Sequence, residues 1–233
     1  MWMNDTHYSG NPALDGMLRD TALSFQRLLE ALRVLAGDAS QNILDLYAKS
    51  GEVAVSQKSD ASPVTDADHA SHRLICESLT SLTPAIPVLS EESTLEQLIG
   101  RRDWPCCWMI DPLDGTREFL EGTGEFTVNI ALIIDAEAVL GLIAAPNRGY
   151  LDLGVPGWGA RRFPLFSDGP SETLATRPLD PHQPLVMCAS ARHREERVQM
   201  MLNKLSGLAE GAERSDSGSA LKFCDLASGV ADV

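Results

Sequence analysis

The chain has 233 residues, which fits one domain or two small ones that share a sheet. Hydrophobic residues make up 44% of it, enough for a substantial core, so disorder is excluded for most of the chain. Its 33 acidic residues outnumber its 19 basic ones and give a net charge of −14, which disfavours binding to nucleic acid or to anionic membranes. A protein this acidic would need metal ions to bind an anionic substrate.

The first part of the chain is predicted to be mostly helical. Leucine and alanine recur at helical spacing over 14–47, where Gly37 is expected to break one long helix or to separate two in tandem. Residues 53–65 alternate and then turn at a Ser-Pro pair, which indicates a strand and a loop. A second amphipathic helix is predicted for 66–82, followed by a short apolar strand at 86–89.

The remaining elements alternate between strands and helices. An apolar strand at 107–110 precedes a hairpin whose arms are 126–134 and 139–145, and the Pro-rich stretch 164–184 is interpreted as a linker. The last predicted elements are a strand at 185–189 and helices at 195–205 and from 221 onward. This order predicts an α/β (layered α+β) fold, with one subdomain at 1–162 and a second at 163–233.

Composition and apolar windows also predict the cellular setting. Five cysteines without a C-x-x-C pair indicate neither a disulfide framework nor a zinc ribbon. The N-terminus lacks a signal-peptide profile, and the apolar window 126–146 is interrupted by Asn129, Asp135 and Glu137. We therefore expect a cytoplasmic protein with no integral membrane segment, and leave open a peripheral association with the inner membrane.

Acidic residues follow two of the predicted strands. Glu91 and Glu92 come after one of them, and Asp111 and Asp114 come after the other. Strand ends are rigid positions for ligand-binding side chains, and oxygen-only ligands suit Mg²⁺ better than zinc. A solvated acidic surface is the alternative for any single pair, but two pairs beside apolar strands favour a metal site.

The segment DPLDGT at 111–116 adds a geometry suited to phosphate. Pro112 fixes one backbone angle, Gly115 allows a sharp turn, and Thr116 is predicted to cap a helix whose free amides face an anion. Carboxylates for metal and amides for phosphate would then meet at one point. A haloacid-dehalogenase-like phosphatase would need an aspartate at Pro112, so that interpretation is excluded.

A second phosphatase family fits better. The segments PVTDAD at 63–68, SEE at 90–92 and DPLDGT at 111–116 resemble the inositol monophosphatase superfamily in sequence, order and spacing. The segments GEFTVNIAL at 124–132 and GSALKFC at 218–224 are similar to its 3'(2'),5'-bisphosphate nucleotidase branch.

The resemblance implies a fold, an activity and a cofactor. The fold would be the inositol monophosphatase-like sugar-phosphatase fold, with alternating α/β/α/β/α layers and an incomplete C-terminal part. The activity would be hydrolysis of the 3'-phosphate of adenosine 3',5'-bisphosphate in sulfate assimilation. It would depend on two or three Mg²⁺ ions per site and be sensitive to lithium, and some members of the superfamily are homodimers.

The resemblance also assigns residues to roles. Metal ligands would be Glu91, Asp111, Asp114 and the carbonyl of Leu113. Asp68 and Thr116 would orient and deprotonate the attacking water, and Glu92 would support the site. Substrate contacts would come from Glu91, Leu113, Asp114, Gly115, Thr116, Ser190, Arg192, His193, Gly218, Ser219 and Lys222.

Several alternatives stay open at this point. Inositol-1-phosphate or fructose-1,6-bisphosphate would use the same metal and phosphate motifs. The family's last metal ligand, an aspartate in a Trp-Asp pair, falls beyond Val233, so a non-catalytic metal- or nucleotide-binding protein is a second alternative, and Asp232 is not taken as the missing ligand. Lys58 in its loop, and His69 with His72 on the predicted helix, are weaker candidates for anion and metal binding.

Overall fold

A computed structural model describes residues 9–48, 55–57, 63–190 and 196–233. Its helices are α1 (Pro12–Asp20), α2 (Phe25–Tyr47), α3 (Asp66–Leu82), α4 (Thr116–Leu120), α5 (Glu196–Leu205) and α6 (Leu221–Ala227). Its strands are β1 (Val55–Gln57), β2 (Pro63–Thr65), β3 (Val88–Ser90), β4 (Cys106–Asp114), β5 (Thr127–Ile134), β6 (Glu137–Ala145), β7 (Tyr150–Val155), β8 (Gly159–Pro164), β9 (Glu172–Leu174), β10 (Leu185–Ala189) and β11 (Ala212–Asp216). None of the described helices is both long and apolar enough to cross a membrane.

Two separate helices form the N-terminal part, and neither is broken at Gly37. The side chain of Asn11 caps α1 and that of Ser24 caps α2, so the interruption lies between Asp20 and Phe25. The prediction of a break at Gly37 was therefore wrong. A Cβ atom at this position would lie 3.3 Å from the carbonyl oxygen of Leu165, so the glycine serves close packing within a continuous helix.

A seven-stranded sheet is the centre of the fold. Its strand order is β3-β4-β5-β6-β7-β8-β9, in which β3 and β4 are parallel and the other neighbours are antiparallel. The predicted hairpin is confirmed as β5 and β6, which are joined at Asp135 and Ala136, both with positive φ. Helices α2 and α3 cover one face of the sheet, and their fully buried side chains, such as Leu32 and Ile75, share a core with Trp108 and Leu132.

The Pro-rich stretch is more ordered than a linker. Residues Glu172–Leu174 form β9, the edge strand of the large sheet, and Leu174 pairs with Ala160 and is buried. The interpretation of 164–184 as a linker was therefore wrong for this part. A strand of three residues, of which only Leu174 is apolar, gives little sequence signal, and its pairing depends on β8 being already in place.

A small second sheet follows in the chain. Strands β10 and β11 are parallel and are connected through α5, with a compact apolar cluster that includes Leu185, Met187 and Leu205. The predicted strand at 185–189 and the helices near 195–205 and 221–227 are confirmed within a residue at their ends. In the earlier segment the structure has two short antiparallel strands, β1 and β2, where one strand and a loop were predicted.

Candidate metal and phosphate site

Strand β4 carries both aspartates of the acidic motif. It does not end at Ile110 as predicted but continues to Asp114, with an irregular register between Asp111 and Asp114. Asp111 lies opposite Asn129 and Asp114 lies opposite Thr127 on β5. A bulge of this kind re-aims side chains while the strand stays anchored, so both carboxylates are fixed by the sheet rather than by a loop.

Glu91 is brought beside this strand by parallel pairing. Ser90, the last residue of β3, is in register with Ile110, and the Glu91 N–H donates to the Ile110 carbonyl at 3.2 Å. The next backbone amide, that of Glu92, donates to the hydroxyl of Ser90 at 3.2 Å. The pairing therefore places Glu91 at the end of the β3–β4 pair that also carries Asp111.

A histidine on α3 supports the same turn. The ring Nδ1 of His72 lies 2.8 Å from the Ser90 hydroxyl, and the Cys76 sulfur lies 3.6 Å from the same nitrogen. Burial lowers the pKa of His72, with Glu92 acting in the opposite direction, so the neutral ring is favoured. His72 thus contributes to positioning the turn, and the structure gives no support for a metal-binding pair with His69.

Helix α3 also places Asp68 and Ser71 against the motif. Asp68 is 3% exposed, and the Ser71 hydroxyl donates to the Pro112 carbonyl at 2.8 Å. Because these side chains are one helical turn apart, they face the same strand. Ser71 was not singled out from the sequence, since a hydroxyl on a helix gives no signal until its partner is known.

The electrostatics of the site centre on Asp111. Burial, and then the negative charges of Asp114, Glu91 and Asp68, together raise its pKa to about 7 against the lowering effect of the Leu113 amide. That amide donates to Asp111 Oδ1 at 3.2 Å. The negative charges of these carboxylates repel one another, and a bound cation would relieve this repulsion.

The turn after β4 differs from the prediction in its cap. Gly115, with φ of +89°, is the residue before α4, and no side chain caps that helix. Thr116 is the first helical residue, and its hydroxyl donates to the Leu113 carbonyl at 3.2 Å. The cap prediction for Thr116 was therefore wrong, because a glycine in the left-handed conformation already makes the entry into the helix.

The C-terminal segment reaches the same place from far along the chain. The Ser219 hydroxyl lies 2.6 Å from Asp114 Oδ2, and a Cβ atom on Gly218 would lie 3.0 Å from the Glu125 side chain. The Lys222 ammonium donates to the carbonyls of Ser217 and Ser219 at 3.2 and 2.5 Å. It therefore holds this loop in shape.

The other predicted substrate contacts have separate outcomes. The Ser190 carbonyl accepts a hydrogen bond from Arg214 at 2.9 Å, at the end of β10. Arg192, His193 and Lys58 lie outside the described residues. Asp232 forms an ion pair with Arg177 and accepts the Val186 N–H at 2.7 Å, so its carboxylate has a structural role away from the acidic motif.

The donor set fits Mg²⁺ in chemistry. The residues around β4 offer carboxylate and carbonyl oxygens, and the side-chain oxygen of Asn129, opposite Asp111, is buried without a hydrogen-bond partner. Within the described ranges, no group of three or more His, Cys, Asp or Glu side chains converges tightly enough to hold a metal ion alone. Mg²⁺ commonly keeps several waters and shares substrate oxygens, so an open, all-oxygen site suits it.

The sequence matches a known protein family and several curated proteins. A sequence model described as "Inositol monophosphatase family" matches residues 25–233. A 3'(2'),5'-bisphosphate nucleotidase CysQ from Salmonella typhimurium is 38% identical over 207 residues, which cover 88% of this chain and 79% of the relative. The CysQ of Aggregatibacter actinomycetemcomitans is 37% identical over 205 residues, covering 88% of this chain and 73% of the relative.

Solved structures show the same fold. The crystal structure of CysQ from Bacteroides thetaiotaomicron aligns with a TM-score of 0.70 at 33% identity, covering 87% of this chain and 78% of that one. The suhB protein of Bartonella henselae aligns with a TM-score of 0.71 at 25% identity, covering 88% of this chain and 76% of that one. The mixed α/β architecture predicted from sequence is thereby confirmed.

Proposed function

Because the chain belongs to the inositol monophosphatase family, we propose that it is a Mg²⁺-dependent phosphatase of adenosine 3',5'-bisphosphate. It would hydrolyse the 3'-phosphate and release AMP and inorganic phosphate. The relatives named 3'(2'),5'-bisphosphate nucleotidase, at 37–38% identity, support this choice of substrate.

One observation supports the chemistry most directly. Glu91 follows β3, Asp111 and Asp114 lie on β4, and the pKa of Asp111 is raised by burial and by the neighbouring carboxylates. Such a cluster is costly without a positive ligand, because like charges in a partly buried place repel one another. Clusters that perturb a carboxylate in this way are typical of functional sites.

The chain's own residues divide the remaining work. When bound, Mg²⁺ would neutralise phosphate charge and lower the pKa of water. Asp68 would accept a proton from the attacking water, and Thr116 would help to orient it, with its hydroxyl already fixed on the Leu113 carbonyl at 3.2 Å. Glu92 would hold the acidic turn in place.

Substrate binding would use the turn after β4 and the loop before α6. The phosphate would contact Glu91, Asp114 and the backbone of Leu113, Gly115 and Thr116. Ser190, Gly218 and Ser219 would add further substrate contacts, and the 5'-phosphate or the ribose would contact Arg192, His193 and Lys222. A compact loop with small residues leaves room for a ligand, and Lys222 supplies a positive charge near an otherwise acidic site.

The cellular setting is proposed on the same basis. Turnover of adenosine 3',5'-bisphosphate belongs to sulfate assimilation, so we place the protein in the cytoplasm. Two or three Mg²⁺ ions per site and lithium sensitivity follow from the family resemblance, and a homodimer is one of the assemblies to test because some members of the superfamily are dimers. Each can be measured on the purified protein by metal titration, inhibition and light scattering.

The deciding experiment is phosphate release from a panel of substrates. Adenosine 3',5'-bisphosphate, inositol-1-phosphate and fructose-1,6-bisphosphate are compared at equal concentration, with Mg²⁺ and then with excess chelator. We expect chelator-sensitive release with the adenosine bisphosphate preferred. Preference for either sugar phosphate would overturn the substrate assignment, and binding of nucleotide without turnover would overturn the assignment as an enzyme.

A matched pair of variants separates the site from general charge effects. Asp111→Asn removes one carboxylate from the cluster, whereas Asp38→Asn removes one from the exposed face of α2. We expect loss of at least about 100-fold in kcat/KM for the first, since a metal ligand is removed. The second should retain wild-type activity.

A further inference from the structure

The Ser219 hydroxyl lies within hydrogen-bonding distance of three oxygens. It is 2.6 Å from Asp114 Oδ2, 2.7 Å from Thr127 Oγ1 and 3.1 Å from the Asp114 carbonyl. A hydroxyl has only one proton to donate. The 2.6 Å contact lies in the range of a charge-assisted O–H···O⁻ bond, so the proton goes to the carboxylate of Asp114.

The hydroxyl of Thr127 completes a short chain of hydrogen bonds that ends on Asp114. With the Ser219 proton on Asp114, Ser219 accepts the proton of the Thr127 hydroxyl. Thr127 is fully buried and lies directly opposite Asp114 in the β4–β5 ladder. A chain of this kind polarises each hydroxyl toward the carboxylate and strengthens both bonds.

The backbone at Ser219 is held in an unusual conformation. Its φ is +53°, which is unfavourable for a residue with a Cβ atom. Its Cβ would be 3.1 Å from a Cβ placed on Gly115, and Lys222 fixes its carbonyl at 2.5 Å. Glycine would suit this backbone better, so the presence of a serine indicates a use for its hydroxyl.

We propose that Ser219 is a positioning residue for Asp114. Its hydroxyl fixes the carboxylate by Oδ2 and leaves Oδ1, which accepts no hydrogen bond from the described residues, available for Mg²⁺. The C-terminal segment thereby sets the geometry of a ligand on β4, 105 residues earlier in the chain. This inference rests on the Mg²⁺ site of the proposed function and goes beyond substrate contact, the role that the family resemblance gives to Ser219.

The test uses Ser219→Gly, which removes the hydroxyl and relieves the positive φ. Mg²⁺ binding to the chelator-treated protein is measured by calorimetry, and stability without metal by thermal unfolding. We expect Mg²⁺ affinity to fall roughly 10- to 100-fold, as for other groups that orient a metal ligand. Stability without metal should stay equal or rise, because glycine adopts this backbone without strain.

Two further variants control for the backbone and for the hydrogen-bond chain. Ala136→Gly makes the same relief of positive φ (65°) at the exposed β5–β6 turn and should leave Mg²⁺ affinity unchanged. Thr127→Val removes the donor to Ser219 and should weaken Mg²⁺ binding less than Ser219→Gly does.

The outcomes separate this inference from the proposed function. Unchanged Mg²⁺ affinity in Ser219→Gly, with a raised KM for the nucleotide, would overturn the positioning role and leave the phosphatase assignment intact. Weakened Mg²⁺ binding would support the role even if another phosphate ester proved to be the substrate. Absence of Mg²⁺ binding by the unaltered protein would overturn both.

Discussion

Arg162 holds the carboxylate of Asp152 through two parallel hydrogen bonds, from Nε to Oδ1 at 2.7 Å and from Nη2 to Oδ2 at 2.8 Å. The two residues face each other across β7 and β8, and Asp152 is 7% exposed. The guanidinium carbon also lies 3.8 Å from the centre of the Tyr150 ring. This pair fixes the outer half of the sheet with a geometry that lysine could not reproduce.

Loss of this pair should destabilise the fold. We expect Arg162→Met to lower the free energy of unfolding by about 3 kcal/mol, because it leaves the buried Asp152 charge without its guanidinium partner. The neighbouring Arg161, whose guanidinium carbon lies 5.2 Å from the Trp158 ring centre, provides the control. Arg161→Met should cost about 1 kcal/mol or less in urea denaturation. Equal losses in both variants would show that the Asp152 contact is not the cause.

The ionised carboxylate of Asp111 should destabilise the metal-free protein, although the same carboxylate is proposed to bind Mg²⁺. Burial first, and then neighbouring carboxylates, raise its pKa from 3.8 to about 7 in the metal-free protein. Between these values the unfolded chain loses the proton while the folded chain keeps it, so stability falls as the pH rises through this window. Asp111→Asn removes that dependence and should stabilise the metal-free protein above pH 7, by a few kcal/mol at most, since each pKa unit is worth about 1.4 kcal/mol.

Thermal unfolding across pH 5–8 with chelator measures this effect. The difference in melting temperature between Asp111→Asn and the unaltered protein should grow from pH 5 to pH 7 and change little above pH 7. Mg²⁺ should restore the unaltered protein and leave the variant unchanged. A variant that is less stable at every pH would contradict the electrostatic explanation.

Gly115 should be intolerant of any side chain. Its φ is +89°, and a Cβ atom would lie 2.9 Å from the Glu125 carbonyl oxygen and 3.1 Å from the Ser219 Cβ. We expect Gly115→Ala to cost about 1–3 kcal/mol from backbone strain and overpacking and to reduce Mg²⁺ affinity as well. Gly149→Ala is the control, since its φ is +72° with no atom within 4 Å of the new Cβ. It should show only the cost of the backbone angle, with Mg²⁺ binding retained.

The buried hydrogen bond from Trp108 to Thr83 should contribute measurably to the free energy of unfolding. The indole N–H donates to the Thr83 hydroxyl at 2.8 Å, and both side chains are buried. Thr83→Val keeps the shape but leaves the N–H without an acceptor, which should cost about 1–3 kcal/mol. Thr83→Ser keeps the acceptor and should lose less in the same denaturation experiment. The reverse order would indicate that packing of the methyl group dominates.

Local sequence patterns predicted the structural elements that are determined by residues close together in the chain. The β5–β6 hairpin follows from an apolar window that Asp135 and Glu137 interrupt, and the position of Glu91 at the same end of the sheet as Asp111 follows from acidic residues placed after two apolar strands. What sequence could not supply depends on distant partners. The hydroxyl of Ser71 has meaning only against the Pro112 carbonyl, and that of Ser219 only against Asp114.

Backbone details failed for a related reason. Gly37 was expected to interrupt a helix, because the tight approach of the Leu165 carbonyl is invisible in the local sequence. Threonine is a common N-cap residue, which is why Thr116 was predicted to cap α4, but the N-cap position is occupied by the preceding Gly115. Strand β9 has three residues, too few for any periodic pattern, and exists because β8 offers it an edge.

The contact between Asp114 and Ser219 has a consequence for folding order. Closing a loop of this length is slow compared with forming the adjacent β4–β5 or β5–β6 pairs. The large sheet can therefore form while the carboxylate of Asp114 still lacks its support. Tight Mg²⁺ binding should appear last during refolding, and it should be lost first when the segment around α6 opens. Hydrogen exchange on that segment would then follow occupancy by the metal, although its backbone lies outside the seven-stranded sheet.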